Sequence, residues 1–367
     1  MLGSRSWLAA ALIGAGGLLL TACGAGPGHP APARHLAPGG ATATESFVAI
    51  SVVGTGRPHL ERFSLPSGRA LGQIQSAPAG TQVVSSVTSS SGQIWVTTAS
   101  GPRFRNDTEG GDPAPNSCHS SILELSPGGS RPSRTWSFGN SQLVGDAVPN
   151  PAGDRVAYLE SGCTTSFADP HIVIRSLAGG RDLTIGADAA PCHQMSPPSW
   201  SASTAQLTFT FNPSSLAPGG GPLIQGACPA WHLGELAVAS TVHSSEMAGV
   251  RLVAAPSGCG YTAAAFDAWG IAAVETCGYA GMGPAHLVQL SDRLSATATF
   301  ALKPGSDPTW LSVAGGGRSV LVDQYQAPPA TGPGGQARDW LYVFDGVDLH
   351  LVHVYPDASY GIRGASW

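Results

Sequence analysis

From Ser46 onward the chain alternates between two textures. Runs of roughly four to eight apolar, β-branched or aromatic residues are separated by clusters of Gly, Pro, Ser and Asp, and no stretch keeps a helical period for three turns. This pattern predicts an all-β chain. One strand type recurs about every 55 residues, each time behind a turn: Gln93-Ile94-Trp95-Val96-Thr97, Arg155-Val156-Ala157-Tyr158-Leu159, Gln206-Leu207-Thr208-Phe209-Thr210, Ile271-Ala272-Ala273-Val274 and Ser319-Val320-Leu321-Val322. A loop and then a hairpin follow each one. Examples are His171–Leu177 turning at Ala178-Gly179-Gly180 into Asp182–Ile185, and Trp340–Phe344 turning at Asp345-Gly346 into Leu349–Tyr355.

A four-stranded antiparallel unit repeated at this length predicts a β-propeller. The first unit, Phe47–Val53, His59–Ser64 and Arg69–Ile74, lacks an inner strand. The C-terminal Ala365-Ser366-Trp367 matches Pro198-Ser199-Trp200 and Pro308-Thr309-Trp310, which open the fourth and sixth units. The end of the chain is therefore expected to complete the first blade, giving six blades over residues 46–367 and a closed ring without free edges. The three recurring tryptophans, Trp200, Trp310 and Trp367, are expected in the core.

The repeats resemble those of the TolB-like, WD40-like bacterial propellers. Asn150-Pro151-Ala152-Gly153-Asp154 ahead of Val156-Ala157-Tyr158 is similar to that family's Trp-Ser-Pro-Asp-Gly turn and strand, and Trp200-Ser201 is a second partial copy. The resemblance implies a platform for binding proteins or ligands and no particular catalytic activity.

The N-terminal 22 residues have a different character. Arg5 precedes an apolar stretch from Trp7 to Leu20, and Leu20-Thr21-Ala22-Cys23 resembles the lipobox of bacterial lipoproteins. That resemblance implies cleavage before Cys23 and diacylglycerol on its thiol, which anchors the protein to the outer face of the cytoplasmic membrane. Residues 23–45, rich in Pro, Gly and Ala, are expected to form a flexible tether.

Composition narrows the function. Charged residues make up 11% of the chain, the net charge is −5, and no basic patch suits nucleic acid. Hydrophobic residues at 42% exclude a disordered chain. Setting Cys23 aside, Cys118, Cys163, Cys192, Cys228, Cys259 and Cys277 form an even set, as disulfides in an exported protein require. On the blade layout all six fall on one face. Cys259 and Cys277 flank one hairpin at equal distances from its turn, Cys192 and Cys228 hold the equivalent places one blade earlier, and Cys118 and Cys163 remain. Three bridges with those pairings are expected, on a face that also carries long loops in the second, fourth and sixth blades.

Candidate chemistry gathers at the same face. Glu160 and Glu275 end second strands and are expected near the channel mouth, where a carboxylate pair can act as acid and base. His119, His171 and His193 lie nearby without metal-ligand spacing, and Trp231 and Tyr279 are candidate aromatic anchors. There is no nucleophile elbow, Walker loop or Cys-x-x-Cys, and neither a cofactor nor a metal is indicated. The leading expectation is a membrane-anchored, extracytoplasmic platform binding a protein or cell-envelope ligand through the stapled face. The alternative is a hydrolase or lyase using Glu160 and Glu275.

Overall fold

The computed structural model describes residues 31–32, 34–35, 46–51, 59–65, 67–76, 81–101, 118–127, 131–163, 170–189, 193–212, 234–241, 246–278, 283–304, 306–314, 317–326, 338–356 and 362–367. It shows a six-bladed β-propeller. Each blade is an antiparallel sheet whose four strands run outward from a central axis, and successive blades follow in chain order.

Blade 1 runs Ile362–Ser366, Ser46–Ser51, His59–Ser64 and Ala70–Ser76, so the C-terminal strand is its inner strand. Blade 2 consists of Thr81–Thr88, Ile94–Ser100, His119–Leu125 and Pro132–Ser137. Blade 3 consists of Gln142–Pro149, Arg155–Gly162, His171–Ser176 and Leu183–Ile185. In blade 4 the inner position is split into Gln194–Met195 and Ser199–Trp200, followed by Gln206–Asn212, Glu235–Ser240 and Val250–Val253. Blade 5 is Cys259–Asp267, Gly270–Cys277, Ala285–Leu290 and Ala296–Ala301, and blade 6 is Ser306–Val313, Val320–Gln326, Arg338–Phe344 and Leu349–Pro356. Within the segment expected as a tether, Ala31–Pro32 and Arg34–His35 pair in parallel with the outer strands of blades 5 and 6.

The second strands read as continuous apolar runs because both of their faces are covered. In Arg155–Gly162, Val156 and Tyr158 pack with blade 2, whereas Ala157 and Leu159 pack with blade 4. In Val320–Gln326, Val320 and Val322 face blade 5 and Leu321 faces blade 1. Successive side chains of a strand point to opposite faces, so one strand serves two interfaces. The core is consequently a ring of six apolar clusters, one between each pair of neighbours, including blade 6 against blade 1. Phe47, Tyr158, Phe209 and Phe344 are among its largest fully buried side chains.

Closure of the ring is held by more than one blade's ladder. The Ala365 N–H donates to buried Asp323 of blade 6 (3.3 Å), the Trp367 N–H donates to Ser312 Oγ (3.4 Å), and the Tyr355 hydroxyl donates to the Gly68 carbonyl (2.8 Å). Trp200 is buried as expected, with its indole N–H donating to the Val148 carbonyl (2.9 Å), and Trp367 packs half-buried between blades 6 and 1. Trp310 departs from the expectation: it is only partly covered and lines the central cavity.

Candidate functional site

The ring has two distinct ends. At one end the second strands finish and the inner strands begin. At the other, inner strands turn into second strands. Both disulfides among the described residues are at the first end. Cys118–Cys163 joins blades 2 and 3 and is buried with Ala99 and Leu143; Cys259–Cys277 joins directly opposed residues of one hairpin. Both are pairings expected from strand placement. Cys23, Cys192, Cys228, Trp231 and Tyr279 lie outside the described residues.

The two glutamates expected at this end are engaged within their own blades. Glu160 faces His171 across the ladder, with 3.6 Å between carboxylate and imidazole, and accepts a hydrogen bond from the Gln142 amide (3.0 Å). Glu275 faces His286 in the same way at 3.5 Å. The partner histidines sit on third strands, one step further from the axis. Gln142 is on the inner strand and the histidines on third strands, so these contacts hold the carboxylates within their own sheets, and neither residue lines the central cavity. His193 is buried, and its Nε2 lies 2.6 Å from the Pro170 carbonyl, tying blade 4 to blade 3; His119 is exposed at the start of a third strand. Among the described residues, Cys259, Glu275 and Cys277 form a close group of metal-ligand types, but the disulfide consumes both thiolates.

The space suited to a ligand lies toward the other end. A cavity of about 780 Å³, within the range of small-molecule sites, is lined by inner strands of all six blades. Its walls come mostly from those strands and the turns after them: residues 82–90, 146, 148–149, 151, 197–200, 202, 264–268, 310–314 and 317, with 365–366 and Ile50. Turn residues Ser90, Pro151, Ala202 and Ala268 are exposed and form its rim. In its ladder each inner strand has a neighbour on one side only, apart from one bridge between Tyr261 and Gly234 of blade 4, so the other edge presents backbone N–H and C=O groups.

Every inner strand is also irregular. Register shifts interrupt five of them and the sixth is split. Such bulges bend a strand and re-aim side chains. The one in blade 3, between Gly145 and Val148, places Asp146 at φ +52°. A non-glycine residue in the left-handed region costs backbone energy, and such residues gather at functional sites. The bulge is pinned from blade 2: the Asp146 N–H donates to Ser85 Oγ at 2.7 Å, and that hydroxyl donates to Thr97 Oγ1 at 2.9 Å.

Asp146 borders the cavity and is otherwise enclosed by protein. Burial pushes its carboxyl up from the ordinary 3.8 to about 6, with the neighbouring Ser85 hydroxyl opposing the shift. A carboxyl tuned this way inside a cleft marks a candidate site. Asp267, in the turn of blade 5, is the other acid in the lining. Desolvation raises it too, against hydrogen bonds from the Trp269 N–H (2.9 Å) and the Gln289 amide (3.2 Å), and its Oδ2 is buried without a donor. Among the described residues, the lining holds no Lys, Arg or His.

Asp146 was missed by periodicity because Gln142–Pro149 reads as an ordinary strand with one polar interruption. The available signal was Gly145-Asp146 itself, since glycine inside a strand marks bulges and close approaches.

No family model and no curated protein matches the chain. Solved structures similar to it include the β-propeller domain of the Trilobed protease from Pyrococcus furiosus, at 12% identity, 58% coverage of each chain and TM-score 0.35. A protein of unknown function from Bacteroides caccae is similar over 89% of this chain and 98% of its own, at 10% identity and TM-score 0.48. Pyrococcus horikoshii acylaminoacyl peptidase is similar over 81% of this chain and 42% of its own, at 8% identity and TM-score 0.44.

Proposed function

We propose that this chain is an exported, lipid-anchored binding protein of the TolB-like, WD40-like kind, whose propeller takes a small ligand in its central cavity. The observation that carries it is Asp146: a strained, cavity-facing acid on a bulge, in a space of small-molecule size framed by all six blades. Export is supported by the two disulfides, which suit an oxidising compartment, and by the lipobox-like residues ending at Cys23. No helix among the described residues is long and apolar enough to cross a membrane.

The hydrolase or lyase alternative rested on Glu160 and Glu275 meeting across a cleft. Each is instead paired with a histidine of its own blade, and that alternative has no geometric support. A second binding surface remains favoured by one observation: both described disulfides fix the same end of the ring, where a protein or cell-envelope partner has a stapled platform to meet.

Native mass spectrometry of protein released gently from membranes tests the cavity. A bound small molecule is expected on the wild type and should be lost in Ala202→Trp, which places an indole at the rim on an exposed turn. A ligand retained equally by both proteins would place binding elsewhere. Detergent partitioning of wild type and Cys23→Ser tests the anchor, and equal partitioning would remove it.

A further inference from the structure

Resting on the cavity as the ligand site, we propose that its ligand is an organic cation, an ammonium or guanidinium group on an apolar body, with Asp146 as counter-ion.

Charge is the first argument. Among the described residues, Asp146 and Asp267 are the titratable side chains of the lining, and none of its described side chains is basic. An anionic ligand would meet two carboxylates with no cation to offset them. A cation meets a carboxylate in surroundings where water screens poorly, the condition in which such pairs are strongest.

Hydrogen-bonding capacity is the second. A neutral sugar would have to draw on the open backbone edges, because the side-chain hydroxyls of this lining are largely committed to holding blades together. Ser85 bridges Asp146 and Thr97, Ser199 accepts from the Phe266 N–H (3.1 Å), Ser312 accepts from the Trp367 N–H (3.4 Å), and Ser366 meets Thr88 (3.3 Å). The buried Ser86 hydroxyl, also in the lining, has no partner.

The third is the shape of the remaining wall. Trp310, Leu311 and Phe266 are only partly covered by protein and border the same space. They suit an apolar body, and the aromatic faces suit a cation.

The test uses the intact lipid-free protein, 2-phenylethylamine as a cationic probe and 2-phenylethanol as its neutral counterpart, titrated by ligand-observed NMR at pH 7.5. Asp146→Asn removes the charge and keeps the bulge, because asparagine tolerates the left-handed region. A thermal melt confirms its fold. The amine should bind wild type about tenfold or more tightly than the alcohol, and Asp146→Asn should erase that preference by weakening the amine. Equal affinity of the two probes, no effect of Asp146→Asn, or no binding by either probe overturns the proposal. Ala202→Trp separates the levels. If charge has no effect but Ala202→Trp blocks both probes, the cavity reading stands without the cation; if both probes still bind Ala202→Trp, the cavity reading fails as well.

Discussion

The disulfide between blades 2 and 3 should contribute more to stability than the one inside the blade 5 hairpin. A crosslink removes conformations from the unfolded chain, and the effect grows with the loop it closes. Cys118 and Cys163 are 45 residues apart, whereas Cys259 and Cys277 are 18 apart. The loop-entropy relation then gives about 4 kcal/mol for the first and about 3 kcal/mol for the second, a difference of about 0.8 kcal/mol. Burial acts in the same direction, because Cys118 and Cys163 are enclosed with Ala99 and Leu143 while Cys259 and Cys277 are half-buried. The perturbation is the paired change to alanine, Cys118→Ala with Cys163→Ala and Cys259→Ala with Cys277→Ala, so no free thiol is left to react. Urea unfolding followed by tryptophan fluorescence reads the effect as a shift in midpoint, with the slope compared between variants. A larger loss for the 259–277 pair, or a loss under about 1 kcal/mol for the 118–163 pair, would refute the reasoning that the crosslink acts on the unfolded chain.

Three further outcomes are expected. Asp146 holds its proton more tightly in the native state than its ordinary value of 3.8 allows, so native protein carries the extra proton between about pH 4 and 6. Its contribution to stability is complete below that window and is lost as pH rises through it. Asp146→Asn should therefore match wild type near pH 3.5 and exceed it on the order of 2 kcal/mol at pH 7.5, measured by denaturant midpoints; a variant less stable at pH 7.5 contradicts this. Gly270 turns the blade 5 hairpin at φ +140°, and a Cβ there would run into the Leu290 carbonyl oxygen, so Gly270→Ala should lose at least about 2 kcal/mol in the same assay. Deleting residues 362–367 strips the inner strand from Ser46–Ser51 and exposes its edge. Lower melting temperature and self-association by light scattering are expected, and an unchanged monomer would argue against closure by the C-terminus.

The architecture was legible because propeller blades obey local rules. The hairpins at His171 and Trp340 fall within a residue or two of their expected bounds, since each is a period-two run closed by glycine-bearing turns. The C-terminal strand was found from a three-residue match, because an incomplete first unit leaves a partner with an unsatisfied edge. The same placement paired Cys118 with Cys163 and Cys259 with Cys277.

The site was less legible. Glu160 and Glu275 stand at strand ends that point toward the stapled end, but strand order alone does not reveal that His171 and His286 lie directly opposite and capture them. Asp146 needed the opposite kind of information. Its approach to the cavity depends on a register shift and a left-handed residue, both products of packing blade 3 against Ser85 of blade 2. Alternation along a strand assumes regular pairing, and the inner strands are where pairing is least regular. The cysteines pointed to the end that is fastened, while the cavity lies toward the end where five turns and the C-terminal Trp367 converge.

The central claim is that ligand enters between the inner strands and meets Asp146. A crystal structure of the protein grown with saturating 2-phenylethylamine tests it most directly. The account expects density for the amine within the ring, its nitrogen within hydrogen-bonding distance of the Asp146 carboxylate and its ring against Trp310, Leu311 or Phe266. Density confined to the disulfide end, or an empty cavity beside an ordered probe elsewhere, would contradict it.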